Sequence, residues 1–203
     1  RPGLDVILVD DAMDAMERSQ RYLAPLMGGL PPGLVQLEVY PHARAFTAAS
    51  SLTESDVRTT GVVALSKWSR LLLVSPRSLA GGYDWEDTIA HEYIHLVVSH
   101  HTNELAPVWL QEAIAKYLDN RWRDGKNQFH LDPRSEGLLA KAVATGELVT
   151  FEQMHPSLAK LPSAEMAALA YAQLATLMAY GFEQGGEDLL NRVLPRVKGG
   201  EDP

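Results

Sequence analysis

Residues 91–95 read His91, Glu92, Tyr93, Ile94, His95, two imidazoles and a carboxylate inside a stretch of helical periodicity. Four residues advance an α-helix by about 400°, so His91 and His95 project from nearly one face, one turn apart, close enough to bind a single zinc ion. Glu92 lies about 100° further round, where it can reach water at that metal without being a ligand. This pattern serves metal-assisted hydrolysis with a carboxylate as general base. The chain contains no cysteine. Disulfides, thiol nucleophiles, cysteine-bound zinc and iron–sulfur clusters are thereby excluded, and histidines and carboxylates remain as the strong metal ligands.

A catalytic zinc takes three protein ligands and keeps a fourth position for water. Two residues compete for the third place. His101 follows His91 by ten residues, the spacing of the last histidine in the extended metzincin motif, but that motif needs glycine where this chain has Val98. A β-branched residue resists the positive φ of the sharp turn that the glycine permits. Glu112 is the alternative, within Pro107-Val108-Trp109-Leu110-Gln111-Glu112-Ala113-Ile114-Ala115-Lys116-Tyr117-Leu118. A helical hairpin over residues 84–122 brings a carboxylate there against the two histidines.

The surrounding elements must hold this geometry. Residues 4–9 form a short β-rich run ending at Asp10 and Asp11, either of which can cap a helix marked by Ala12, Met13, Met16 and Leu23. Gly28 and Gly29 end that helix. Residues 34–40 alternate as a half-buried strand, residues 61–65 form a second strand, and residues 70–75 a third, stopped by Pro76. The polar, small-residue segment 47–60 reads as a mobile loop. After Gly81-Gly82 the period becomes helical: 84–99, with Asp84, Glu86 and Asp87 in a negative first turn, then 107–122, 135–145, 163–180 and 187–197. Residues 123–133 read as a charged connection. No long linker or repeat divides the chain, so one α+β domain is expected, with a small mixed sheet in residues 1–80 and a helical part in 81–203.

The motif at 91–95, followed 17 residues after its second histidine by the run from Pro107 to Tyr117, resembles the gluzincin metallopeptidases, in particular small bacterial thermolysin-like catalytic domains with a glutamate helix. The likeness is direct over residues 85–118. Tyr171-Ala172-Gln173, Tyr180-Gly181 and Leu189-Leu190 are similar to the family's C-terminal helices. Ala113 departs from it, since these domains more often carry glycine there. The resemblance implies a zincin-like fold, one Zn²⁺ held by His91, His95 and Glu112, Glu92 as general base, and Tyr171 as donor to the oxyanion. It also implies a peptide or protein substrate laid along the edge strand at 61–65, exchanging main-chain hydrogen bonds with residues 62–65. His100, His101, His130 and His155 are read as solvated or structural.

Charge narrows the partners. Lys and Arg number 18 against 26 Asp and Glu, a net charge of −8, which opposes sequence-independent attraction to nucleic acid or anionic lipid. No uninterrupted run of 18 apolar residues is present. The nearest, residues 164–182, carries Glu165, Gln173 and Thr176 and reads as a buried helix. An Arg at position 1 and no retained signal-type segment suggest a processed or excised chain. The family resemblance favours a bacterial extracytoplasmic setting. Two function classes follow, a zinc peptidase and a non-catalytic peptide-binding module on the same fold. Glu92 favours the first, because a structural zinc has no use for a base.

Overall fold

A computed structural model describes residues 4–123 and 129–203 of the chain. Among the described residues the strands are β1 (Gln36–Tyr40), β2 (Ala64–Lys67) and β3 (Arg70–Val74), in the order β1-β3-β2. β1 runs parallel to β3, with Gln36 opposite Arg70 and Tyr40 opposite Val74; β2 runs antiparallel, with Ala64 opposite Leu73 and Lys67 opposite Arg70. The uninterrupted run Leu71-Leu72-Leu73-Val74 suits a central strand covered on both faces. Leu71 and Leu73 join the main core with Ile89, Tyr93 and Val97, while Leu72 and Val74 pack with Phe46 and Leu52 on the other side.

The helices are α1 (Val9–Leu26), α2 (Ala43–Ala49), α3 (Glu54–Thr60), α4 (Trp85–Thr102), α5 (Val108–Leu118), α6 (Pro133–Thr145), α7 (Phe151–Met154), α8 (Ala164–Gly185) and α9 (Leu189–Lys198). α4 is the axle of the fold, packing on α1, α5, α9, β2 and β3. Ile89, Ala90, Tyr93, Ile94, Val97 and Val98 are all buried, so its apolar surface goes most of the way round. α5 lies between α4 and α8, contributing the buried row Ala113, Ile114 and Ala115; α8 answers with Ala167, Ala170, Ala172 and Ala175. Small side chains on both helices let their axes approach closely.

Three expectations need correction. Residues 4–9 are not a strand: a 3-10 turn, Leu4–Leu8, runs straight into α1. A short apolar run cannot by itself set the period, and Asp10 and Asp11 lie inside the first helical turn, favourable to its dipole, while Leu8 at the cap position makes no side-chain cap bond. Residues 47–60 are not a loop. Phe46 and Leu52 plug the outer face of the sheet, and Thr53 and Asp56 form a reciprocal capping box at the start of α3. Nor does a strand begin at Gly61, which takes φ +75° as the left-handed cap of α3, so β2 starts at Ala64. Within the expected connection 123–133, residues 124–128 lie outside the described residues.

β2 and β3 are joined by only Trp68 and Ser69, at φ 52° and 58°. A two-residue hairpin of this hand needs positive φ at both positions, which is why Asn-Gly is favoured there. A bulky side chain in that conformation costs about 1–2 kcal/mol, partly offset here by Lys67, whose Nζ sits 4.3 Å from the centroid of the Trp68 ring. Trp68→Asn is therefore expected to hold or raise the thermal midpoint, measured by circular dichroism, although it removes a large side chain. A fall of more than a few degrees would contradict this account of the turn.

Candidate metal centre

α4 carries His91 and His95 one turn apart, as their spacing requires. Their Nε2 atoms are 3.2 Å apart, with the rings at 79° to each other. α4 ends at Asn103 and Glu104, both in the left-handed region (φ 51° and 62°), and Pro107 caps the start of α5 in extended geometry. Gln111 Nε2 donates to the Ala106 carbonyl at 2.9 Å and fastens the connection. The chain thus doubles back and sets Glu112 against α4, its Oε2 3.4 Å from His91 Nε2 and 3.6 Å from His95 Nε2. At the far end of the pair, Trp122 Nε1 and Arg123 Nε both donate to Asp87 Oδ1, at 3.1 and 2.9 Å.

The sides of this triangle, 3.2, 3.4 and 3.6 Å, match the about 3.3 Å separating donors bound at about 2.0–2.1 Å to one tetrahedral zinc. Glu112 Oε2 is buried and accepts no hydrogen bond within the protein. Such an orphan is costly to leave without a partner, and a cation between the three atoms supplies one. The group His91, His95, Glu112 can hold a metal ion. His101 is not part of it. α4 continues without a turn through buried Val98, and His101 Nε2 lies 3.0 Å from the Gly29 carbonyl, facing the end of α1.

Asp119 is a neighbour that the sequence reading missed. It is buried, its Oδ2 lies 3.6 Å from His91 Nδ1, and Lys116 Nζ holds the same oxygen at 2.9 Å. A carboxylate behind the outer nitrogen of a histidine fixes its ring and tautomer for ligation through the inner one. The available signal was spacing: seven residues after Glu112 is two helical turns, so both carboxylates fall on one side.

Glu92 is buried and lines the same groove as the three donors. Burial pushes its carboxyl above the ordinary range, opposed by the charges of His95 and His91 and by a hydrogen bond from Ser66 on β2. Tyr171, from α8, also lines the groove, with its ring 6.2 Å from that of His91. Burial, then the charges of Glu112, Glu92 and Asp119, hold its hydroxyl well above the usual phenol value, so it remains protonated and able to donate. The groove measures about 910 Å³, and β2 forms one wall.

A family model described as Peptidase MA superfamily matches residues 20–202. The chain belongs to the peptidase MA superfamily. Among curated proteins and among solved structures, no match to it was found. The superfamily is typically metal-dependent, and membership points to metallopeptidase-type activity on protein or peptide substrates. For this peptidase MA chain, no described helix is long and apolar enough to cross a membrane.

Burial alone would lower the His91 pKa, but the Asp119 and Glu112 carboxylates close to its two ring nitrogens outweigh it and push the imidazole up to about 10 from an ordinary 6.5. Glu112 responds in the other direction: the nearby His95 and His91 rings overcome burial and hold its carboxyl well below the usual range. A raised folded-state pKa contributes stability that is present in full below about 6.5 and is lost as pH rises through about 10. Nitrogen-15 NMR of chelator-treated protein should therefore show His91 still an imidazolium at pH 8. Titration of that ring below pH 7 would contradict the assigned contacts.

Proposed function

We propose that this chain is a zinc-dependent peptidase of the gluzincin, thermolysin-like type, acting within peptide or protein chains. One Zn²⁺ is held by His91, His95 and Glu112, with Asp119 steadying His91. Zinc, when bound, supplies Lewis acidity toward the scissile carbonyl and toward water. Glu92 accepts the proton of the attacking water and delivers it to the leaving amine, a task suited to a carboxyl whose proton affinity is raised by burial. Tyr171 donates its hydroxyl hydrogen to the developing oxyanion. The observation that carries this reading is the orphaned Glu112 oxygen facing two histidine nitrogens, with an unligated, buried Glu92 in the same open groove. A structural zinc closes its fourth position with protein, so the open groove argues against a purely structural role.

The substrate's path follows from strand geometry. Among the described residues β2 pairs with β3 alone. The Val74 N–H donates to the Val63 carbonyl at 2.8 Å, so by alternation Val63, Leu65 and Lys67 bond to β3, and the main-chain groups of Ala64 and Ser66 turn to the free edge. An extended peptide adds there as a further strand. Its hydrogen bonds go to Ala64 and Ser66, a narrower and shifted span relative to the expected 62–65.

Glu92→Gln is expected to keep one zinc per chain and lower kcat/KM on an unfolded protein substrate such as casein by about 10²–10⁴-fold. Tyr171→Phe should lower kcat by about 100-fold with little change in KM. Glu112→Ala should lose zinc and His101→Ala should retain it, as read by elemental analysis. Near-normal turnover in Glu92→Gln, or zinc loss in His101→Ala instead, would overturn the assignment. Asp119→Asn should weaken zinc binding by about 10–100-fold in chelator competition while the fold persists.

A further inference from the structure

The groove continues past the metal-ligand cluster to an apolar rim that the hydrolytic chemistry does not use. There Pro31, Pro32 and Leu34, from the connection between α1 and β1, border the same groove as Trp68 at the tip of the β2–β3 hairpin. Leu34 is 95% exposed and Trp68 76%. Lys67 Nζ stands over the Trp68 ring, and the exposure of the residue leaves the remaining ring surface accessible.

Two independent observations make this rim more than scattered exposed apolar surface. The first is backbone conformation. Among the described residues, four that are not glycine have positive φ: Trp68, Ser69, Asn103 and Glu104. All four line this groove. Conformations disfavoured for ordinary side chains gather where a ligand site needs a particular shape, and folding alone would favour Asn over Trp at the first turn position. The second is register. Ser66, whose hydroxyl meets Glu92, is two residues before Trp68, and an extended strand advances about 3.3 Å per residue. A peptide paired with the edge of β2 therefore passes Trp68 two to three residues from the bond beside Glu92.

We propose that Trp68, with Leu34 and the Pro31-Pro32 pair, forms a specificity subsite for a large apolar side chain, aromatic above all, two to three residues from the scissile bond. Trp68 is its platform: a planar ring tethered on one side by Lys67 accepts an aromatic ring in stacked or edge-on contact. The substrate class is then an extended, unfolded segment carrying an exposed aromatic residue, because a folded protein buries such residues and does not present an extended backbone. The inference rests on the reading of this groove as the peptidase site.

The test uses zinc-loaded chain carrying Glu92→Gln and a set of labelled octapeptides in which one phenylalanine is walked through an alanine–serine background. Fluorescence anisotropy should show affinity peaking at one phenylalanine position, about tenfold tighter than the peptide without phenylalanine. Adding Trp68→Asn should abolish that peak while leaving the phenylalanine-free peptide within about twofold, and Trp68→Tyr should retain most of it. The Trp68 indole N–H resonance should shift on adding the preferred peptide and stay in place with the phenylalanine-free one. Equal affinity at every phenylalanine position, or a loss on Trp68→Asn that is uniform across all peptides, overturns the subsite. Failure to bind any peptide overturns it together with the peptidase reading. Position-selective binding by a wild-type chain that never cleaves the preferred peptide upholds the subsite and overturns hydrolysis.

Discussion

Three largely buried donor atoms, His91 Nε2, His95 Nε2 and Glu112 Oε2, face one another across 3.2–3.6 Å, an approach that their lone pairs tolerate only with a proton or a cation between them. A proton meets the requirement for two of them at a time. A divalent cation meets it for all three, and it gives the unpartnered Glu112 oxygen the contact that burial has denied it. Much of the fold serves to impose this proximity. α4 is enclosed by α1, α5, α9 and the sheet, so its two histidines cannot swing away, and the left-handed exit at Asn103 and Glu104 sends the chain back to place Glu112. The Asp87 contacts of Trp122 and Arg123 tie the far end of the return to the start of α4.

The two sides of the groove divide the work by the kind of element that forms them. Helices supply charge and proton-handling groups, since a packed helix fixes side chains at set angles and heights. In the proposed reading the sheet supplies a free edge, whose main-chain groups would bind an extended chain regardless of its side chains. Selectivity must then come from elsewhere along the groove, and the hairpin that makes the edge also carries Trp68 at its tip. Strain in that turn, about 1–2 kcal/mol, is a sizeable share of a domain's marginal stability, so a bulky ring held there fits the proposed use as a platform better than a need of folding.

What was legible in the sequence follows the range of the interactions involved. His91, Glu92 and His95 are a local pattern on one helix, and a spacing of four is enough to align them. Glu112 lies a hairpin away and was readable through its motif, while Val98, standing where the competing motif needs glycine, counted against His101. Asp119 was missed because its role exists only once α5 is folded against α4. The central strand β3 announced itself as an uninterrupted apolar run. The run at 4–9 looked much the same and became a 3-10 turn leading into α1, because nothing in a short apolar stretch distinguishes a strand from the start of a helix. Residues 47–60 hid two short helices behind polar composition, although Thr53 and Asp56 spelled out a capping box and Phe46 supplied an anchor.

The central claim is that one zinc ion occupies the space between α4 and α5. X-ray absorption at the zinc K-edge, on protein prepared without chelator and loaded with one equivalent of zinc, tests it most directly. The account predicts two imidazole nitrogens and light oxygen donors at about 2.0–2.1 Å, with one imidazole's scattering lost in His95→Ala and an oxygen donor lost in Glu112→Ala. A spectrum of fully hydrated zinc, or a three-imidazole site that is unchanged by Glu112→Ala, would contradict it.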